Sequence, residues 1–282
     1  MKYVRMFSLT VLCLQAYVVS APADSFDLLA NYVYGQDRCV LQEINRAVNK
    51  TYGDTAARYE LEKKLINILE TDGATRDGKA FACEMLGRIG TSFAVFPLAK
   101  LLREPVLADY ALIALERIPQ GEANRALRES LPDLEGDAVR GVIQVLGSRG
   151  ADISVDTLAG FLGNPEYAAD AAAALGDLGT SEASHRLTVA RAKKGFDATL
   201  EMALLDCANG PAGEQTPEHA AAIYEFLYRE GGSDMLKVAG FNGMLRHHDA
   251  VQELLREVLT SKTPCYSRAV LSALGEPGLS ES

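Results

Sequence analysis

The sequence predicts an all-α protein, a right-handed α-α superhelix of about six to seven stacked helical pairs. Three observations carry that prediction. The chain of 282 residues has no Trp and only 7% aromatic residues, and its abundance of Ala and Leu suits helices packed through small and branched side chains; a sheet-rich chain would carry more Val, Ile, Thr and aromatics. A glycine motif recurs at a near-constant interval. The apolar residues before and after each copy follow helical spacing.

In chain order, residues 1–23 read as a secretory signal. Lys2 and Arg5 precede an apolar run from Met6 to Val19, and Ala21-Pro22-Ala23 supplies an A-x-A cleavage site at Ala21 and Ala23. The run is shorter than the ~20 residues that a bilayer span requires, and Gln15 interrupts it. The expectation is export to a periplasmic or extracellular location, with no membrane span after cleavage. Cys13 could suggest lipidation, but Leu12 stands where that processing wants a small residue.

Without residues 1–23 the chain keeps 26 basic and 38 acidic residues, a formal charge of −12. Such a chain repels phosphate backbones, so a nucleic-acid partner is not expected. Four cysteines remain, Cys39, Cys83, Cys207 and Cys265, which permit three pairings. Most read as small buried hydrophobes on helices. If a bridge forms, Cys39 with Cys83 is the preferred one, because it would tie the N-terminal helices to the first repeat.

Residues 24–72 are helical without clean periodicity, with apolar faces at Leu28, Leu29 and Tyr32 and at Leu61, Leu65, Ile66 and Leu69. Stacked arrays need atypical ends that shield the last apolar face, so this segment reads as an N-terminal cap.

Residues 73–282 carry the repeat. The pattern L-G-x-x-G occurs at Leu86–Gly90, Leu146–Gly150, Leu175–Gly179 and Leu274–Gly278, and Leu115-Glu116-Arg117-Ile118-Pro119 stands between the first two. The first four leucines in this series are 29, 31 and 29 residues apart, and the last interval of 99 leaves room for three more units. A period near 30 means stacked helical pairs. The closing glycine reads as a helix stop with positive φ. The earlier one lies inside the helix, where it costs about 1 kcal/mol relative to Ala, and so should admit a close neighbour. A phosphate loop would open a helix after a strand, whereas these glycines close one.

First helices are marked by Phe81, Met85, Leu86 and Ile89, or by Ala169, Ala172, Ala173 and Leu175. Second helices are marked by Val95, Leu98, Leu101 and Leu102, or by Leu158, Phe161 and Leu162. Thr180 and Thr216-Pro217 are helix starts, and Pro105, Pro132, Pro165 and Pro264 punctuate unit ends. Cys207–Gly213 reads as a loop insertion within one repeat.

Over residues 73–282 the chain resembles HEAT repeats, especially the short bacterial HEAT-like class also seen in phycobilin lyases. Phe81–Leu86, Ile89-Gly90-Thr91 and Tyr110–Pro119 look like exported bacterial HEAT-like proteins often found beside carbohydrate-active domains. The resemblance implies an armadillo-like helical solenoid whose second helices line the inner surface.

No catalytic, cofactor or metal site is expected. The histidines are His185, His219 and the adjacent His247-His248; adjacent helical residues point about 100° apart and make no two-ligand face. They read as surface or turn residues. Carboxylate pairs such as Asp133 with Glu135 follow from the acidic composition. The one concentration of positive charge is Arg186, Arg191, Lys193 and Lys194 on a second helix, and with Tyr224, Tyr228 and Arg229 in the next unit it forms a candidate partner-binding strip; an ordinary solvated face is the alternative. The functional expectation is a noncatalytic scaffold for a protein partner, with oligomeric state left open. A carbohydrate or cell-wall binding module, needing exposed tyrosines, and a bilin- or cofactor-lyase-like enzyme are the alternatives.

Overall fold

The computed structural model describes residues 24–119, 121–150, 154–210, 213, 216–247, 255, 256, 258 and 260. The cleavage residues Ala21 and Ala23, the fourth glycine motif at 274–278, Cys265 and His248 lie outside the described residues. Fourteen α-helices and one 3-10 turn are found among the described residues, and no strand.

The N-terminal segment comprises α1 (Ser25–Ala30), α2 (Cys39–Lys50) and α3 (Thr55–Glu70). Asp24 and Asp54 cap α1 and α3 by accepting backbone N–H bonds from Phe26 and Ala57. The repeats follow as α4 (Arg76–Ile89) with α5 (Ser92–Leu101), α6 (Ala108–Arg117) with α7 (Glu122–Ser130), α8 (Asp137–Ser148) with α9 (Val155–Phe161), and α10 (Ala168–Leu178) with α11 (Ser181–Lys194). Then come α12 (Ala198–Asn209), α13 (Pro217–Glu230) and α14 (Asp234–His247). The first helices α4, α6, α8, α10 and α12 pack on one another in chain order, and α5, α7, α9 and α11 each pack beside the first helix that follows. In the segment expected as a cap, α3 packs on both α4 and α5, as a second helix would, while α1 lies against α2, α3 and α4. One apolar cluster runs through these layers from Leu29 to Val258.

The interior glycines do what their position suggests. A Cβ built on Gly87 would stand 3.2 Å from Ala114 Cα, one on Gly147 2.8 Å from Ala174 Cα, and one on Gly176 3.2 Å from Ala203 Cα. Each glycine therefore seats an alanine backbone of the next first helix, always 27 positions ahead. Glu116 occupies the glycine position in α6, and there α6 and α8 pack less closely. Arg149 fills the joint: its guanidinium donates to the carbonyls of Leu115 at 2.6 Å and Glu116 at 2.7 Å and to Asn124 Oδ1, while Ser148 Oγ bonds Glu116 Oε1 at 2.9 Å. These carbonyls are the unpaired ones at the end of α6. Burial pushes the Arg149 pKa down, opposed by Glu116.

Two expectations need correction. Gly179 closes α10 in the left-handed region at φ 63°, but Gly90 is extended at φ −61° and ψ 148°. A side chain at Gly90 would meet Leu86 O at 2.4 Å, so close approach selects that glycine, not positive φ. In α10 the buried alanines are Ala171, Ala172 and Ala174, whereas Ala169 and Ala173 are exposed. A proline, Pro97, also lies inside α5. It leaves the Phe93 carbonyl without its helical donor, and burial of Val95, Leu98 and Leu101 holds the helix together around it.

Candidate functional site

The basic cluster sits on α11, begun by Thr180, whose hydroxyl accepts from Ala183 N at 3.2 Å. Arg186, Lys193 and Lys194 line a groove of about 270 Å³ between α9 and α11, with Ala159, Leu162, Val189 and Ala190 as its apolar part. Arg186 is already paired with Asp156 and Glu182, each at 2.8 Å. Lys194 lies 4.0 Å from Asp197, and Lys193 has no ion-pair partner among the described residues. Arg186, Lys193 and Lys194 therefore share one surface.

The other members do not join it. Arg191 turns the opposite way, donating from Nε to Glu201 Oε1 at 2.9 Å and from its terminal nitrogen to Glu230 O at 3.2 Å, with its guanidinium over the Phe226 ring. Arg229 pairs with Glu225 along α13. Tyr224 and Tyr228 are 3% and 7% exposed; Tyr224 hydrogen-bonds Asn209 Oδ1 at 2.8 Å, and Tyr228 packs on Phe241. Both belong to the stripe Ala220, Ile223, Tyr224, Leu227 and Tyr228 that α13 buries. They are core residues, and a carbohydrate surface built on them is excluded.

A second groove, missed from the sequence, lies between α3 and α5. It encloses about 430 Å³ and presents Tyr59, Ile66, Phe93 and Phe96. Phe93 and Phe96 are 63% and 66% exposed. Tyr59 meets Phe93 edge-on with centroids 5.6 Å apart, and Lys100 lies 4.5 Å from the Phe96 centroid. The signal was available in the sequence, since Phe93 and Phe96 stand three apart, off the face marked by Val95 and Leu98. Beneath this groove the fully buried Glu62 accepts from Thr91 N at 2.6 Å and Thr91 Oγ1 at 2.9 Å, fixing the start of α5.

The Cys39–Cys83 bridge, the preferred pairing if one forms, is absent. Both thiols are free, Cys39 exposed at the start of α2 and Cys83 enclosed in α4. Burial pushes the Cys83 and Cys207 thiols up to about 12, and the Asp37 carboxylate raises Cys39 above its ordinary value. Iodoacetamide should therefore modify Cys39, slowly, in the folded protein and leave Cys83 and Cys207 untouched until denaturant is added. Peptide mass mapping reads this directly, and native modification of Cys83, or a Cys39–Cys83 crosslinked peptide, would contradict the structure.

His219 is half-buried, unlike the surface histidine expected. Its Nε2 lies 2.9 Å from Ser184 Oγ, which itself donates to Ser181 O at 3.0 Å. The Ser184–His219 contact ties α13 to α11. Asp206 on α12 has its carboxyl pKa raised by burial and by Asp177 on α10. Among the described residues no group of three His, Cys, Asp or Glu side chains could hold a metal ion, and no helix is long and apolar enough to cross a membrane.

Compared with known proteins, the sequence matches no protein-family model and no curated protein.

Proposed function

We propose that the chain is a noncatalytic HEAT-like scaffold, a right-handed superhelix that holds a protein partner along its second helices in the cell envelope or extracellular space. The supporting observation is the pair of grooves between neighbouring second helices. The α9–α11 groove has an apolar floor and a basic rim of Arg186, Lys193 and Lys194, and the α3–α5 groove offers exposed aromatic rings. Solenoids build such surfaces by repetition, and exposed apolar patches rimmed by polar side chains mark interaction sites. On a chain of net negative charge, the basic rim favours a partner segment carrying Asp or Glu beside aliphatic residues.

The test is selection of phage-displayed random peptides on the purified chain, counter-selected on a Lys193→Glu/Lys194→Glu variant. Both lysines are exposed, so the reversal leaves the core intact. Acidic, aliphatic peptides retained by the native chain and released by the variant are the expected result. Peptides without acidic residues, or equal binding to both proteins, would remove the α9–α11 groove as the partner site.

A further inference from the structure

We infer that a separate groove, at the N-terminal end of the first-helix layer, binds a neutral oligosaccharide. It encloses about 540 Å³ between α2, α4 and α6, within the ~300–1,000 Å³ span of ligand clefts. It is independent of the second-helix grooves and of the partner proposed for them.

Its walls are fixed before any ligand arrives. The loop between α1 and α2 is bound to the first turn of α4 by three contacts. Thr75 N donates to Ala30 O at 2.8 Å, Thr75 Oγ1 donates to Tyr32 O, and Tyr34 N donates to Asp77 Oδ2 at 2.8 Å. Tyr110, on the opposite wall, has the Arg76 guanidinium over its ring, 5.9 Å from the centroid. Arg88 donates to Asn45 Oδ1 at 2.7 Å and Asn49 Oδ1 at 2.6 Å, joining α4 to α2 along the same groove. A prefixed wall lowers the ordering cost of binding.

The chemistry of the lining selects the ligand. Tyr34 is 88% exposed and Tyr110 38% exposed, while Phe81 lies half-buried between them and α2. Ring faces of this kind cover the C–H face of a pyranose, apolar on one side and polar at the edge. Arg38 just before α2, Gln42 in its first turn and Glu84 on α4 line the groove and have no side-chain hydrogen bond or ion pair among the described residues. They supply donors on one wall and an acceptor on the other, the arrangement a hydroxyl satisfies by accepting from one side and donating to the other. Arg38 stands opposite Asp77 and Glu84 in the lining, with Arg76 over Tyr110 and Arg88 beside Asn45 at its margin, so charges of both signs are interspersed and no single-sign field favours a charged ligand. An apolar helix would bury these polar groups unpaired at a cost.

Isothermal titration of the purified full chain with cellohexaose, mannohexaose and the N-acetylglucosamine hexamer, beside a galacturonate hexamer as the anionic control, tests the inference. At least one neutral hexamer should bind saturably and the anionic one should not. Affinity should fall at least tenfold in Tyr34→Ala and in Gln42→Ala, with the thermal midpoint unchanged because both side chains are exposed, and should persist in the Lys193→Glu/Lys194→Glu variant. No binding by any neutral hexamer, preference for galacturonate, or unchanged affinity in both groove variants would overturn it. Loss of peptide binding alone would count only against the scaffold reading.

Discussion

Gly147→Val should lower the unfolding free energy by about 3 kcal/mol, at the upper end of what overpacking costs. The added Cβ would lie 2.8 Å from both Cα and Cβ of Ala174 and 3.0 Å from its carbonyl oxygen. These are not the movable ends of a long side chain, so relief requires α8 and α10 to separate along a face that is otherwise fully packed. Gly160, inside α9, has nothing within 4 Å of its Cβ direction. Gly160→Ala should therefore stabilise by roughly 0.5–1 kcal/mol through helix propensity alone. Urea unfolding of the two variants beside the parent chain separates packing from propensity. A Gly147→Val midpoint at or above the parental one would mean that the α8–α10 approach is not as close as described.

Glu201→Ala should cost about 3–5 kcal/mol, the scale for removing one partner of a buried ion pair. Glu201 is fully buried on α12, where one carboxylate oxygen accepts from Arg191 Nε at 2.9 Å and the other from Gly232 N at 2.8 Å. One side chain thereby fastens α11, α12 and the turn after α13. Removing it strands a guanidinium whose side chain is only 19% exposed. The paired replacement Arg191→Met/Glu201→Leu should lose much less than the two single changes together. Thermal unfolding of the three variants tests this, and a cost below about 1 kcal/mol for Glu201→Ala would show that water reaches the pair. Arg191 consequently has no place in a surface mutant, since its loss would be read in stability first.

How much of this was legible in the sequence follows from which interactions are local. The helical class was read correctly from spacings within one or two turns, and the near-30 period and the close-packing glycines from recurrence of the motif between Leu86 and Gly179. The face of α10 was not, since the run Ala171–Ala174 carries no contrast between inner and outer positions. Gly90 was assigned the wrong backbone state because the chain beyond it is held by Glu62, 29 positions upstream of Thr91. Tyr224 and Tyr228 were placed outside by the polar tips of their side chains, although Ile223 and Leu227 beside them already marked the buried stripe. Arg191 and Lys193 are two positions apart, about 200° around a helix, so a cluster in sequence was split between two faces. The aromatic groove at α2, α4 and α6 depends on an irregular loop pinned 43 residues ahead by Asp77, beyond the reach of periodicity.

The constant interval between each seating glycine and its alanine makes neighbouring units interchangeable in a genetic sense. The outgoing face of α8 and that of α10 present the same socket, and the incoming faces of α10 and α12 the same knob. A tandem duplication or loss of one unit in this stretch would leave every junction of a kind the chain already contains. The α6–α8 joint breaks the series, because Glu116 stands in place of the glycine and Arg149 and Ser148 bridge to the end of α6 and to Asn124 instead. Growth or shrinkage of the array by recombination is therefore permitted on one side of that joint and penalised across it.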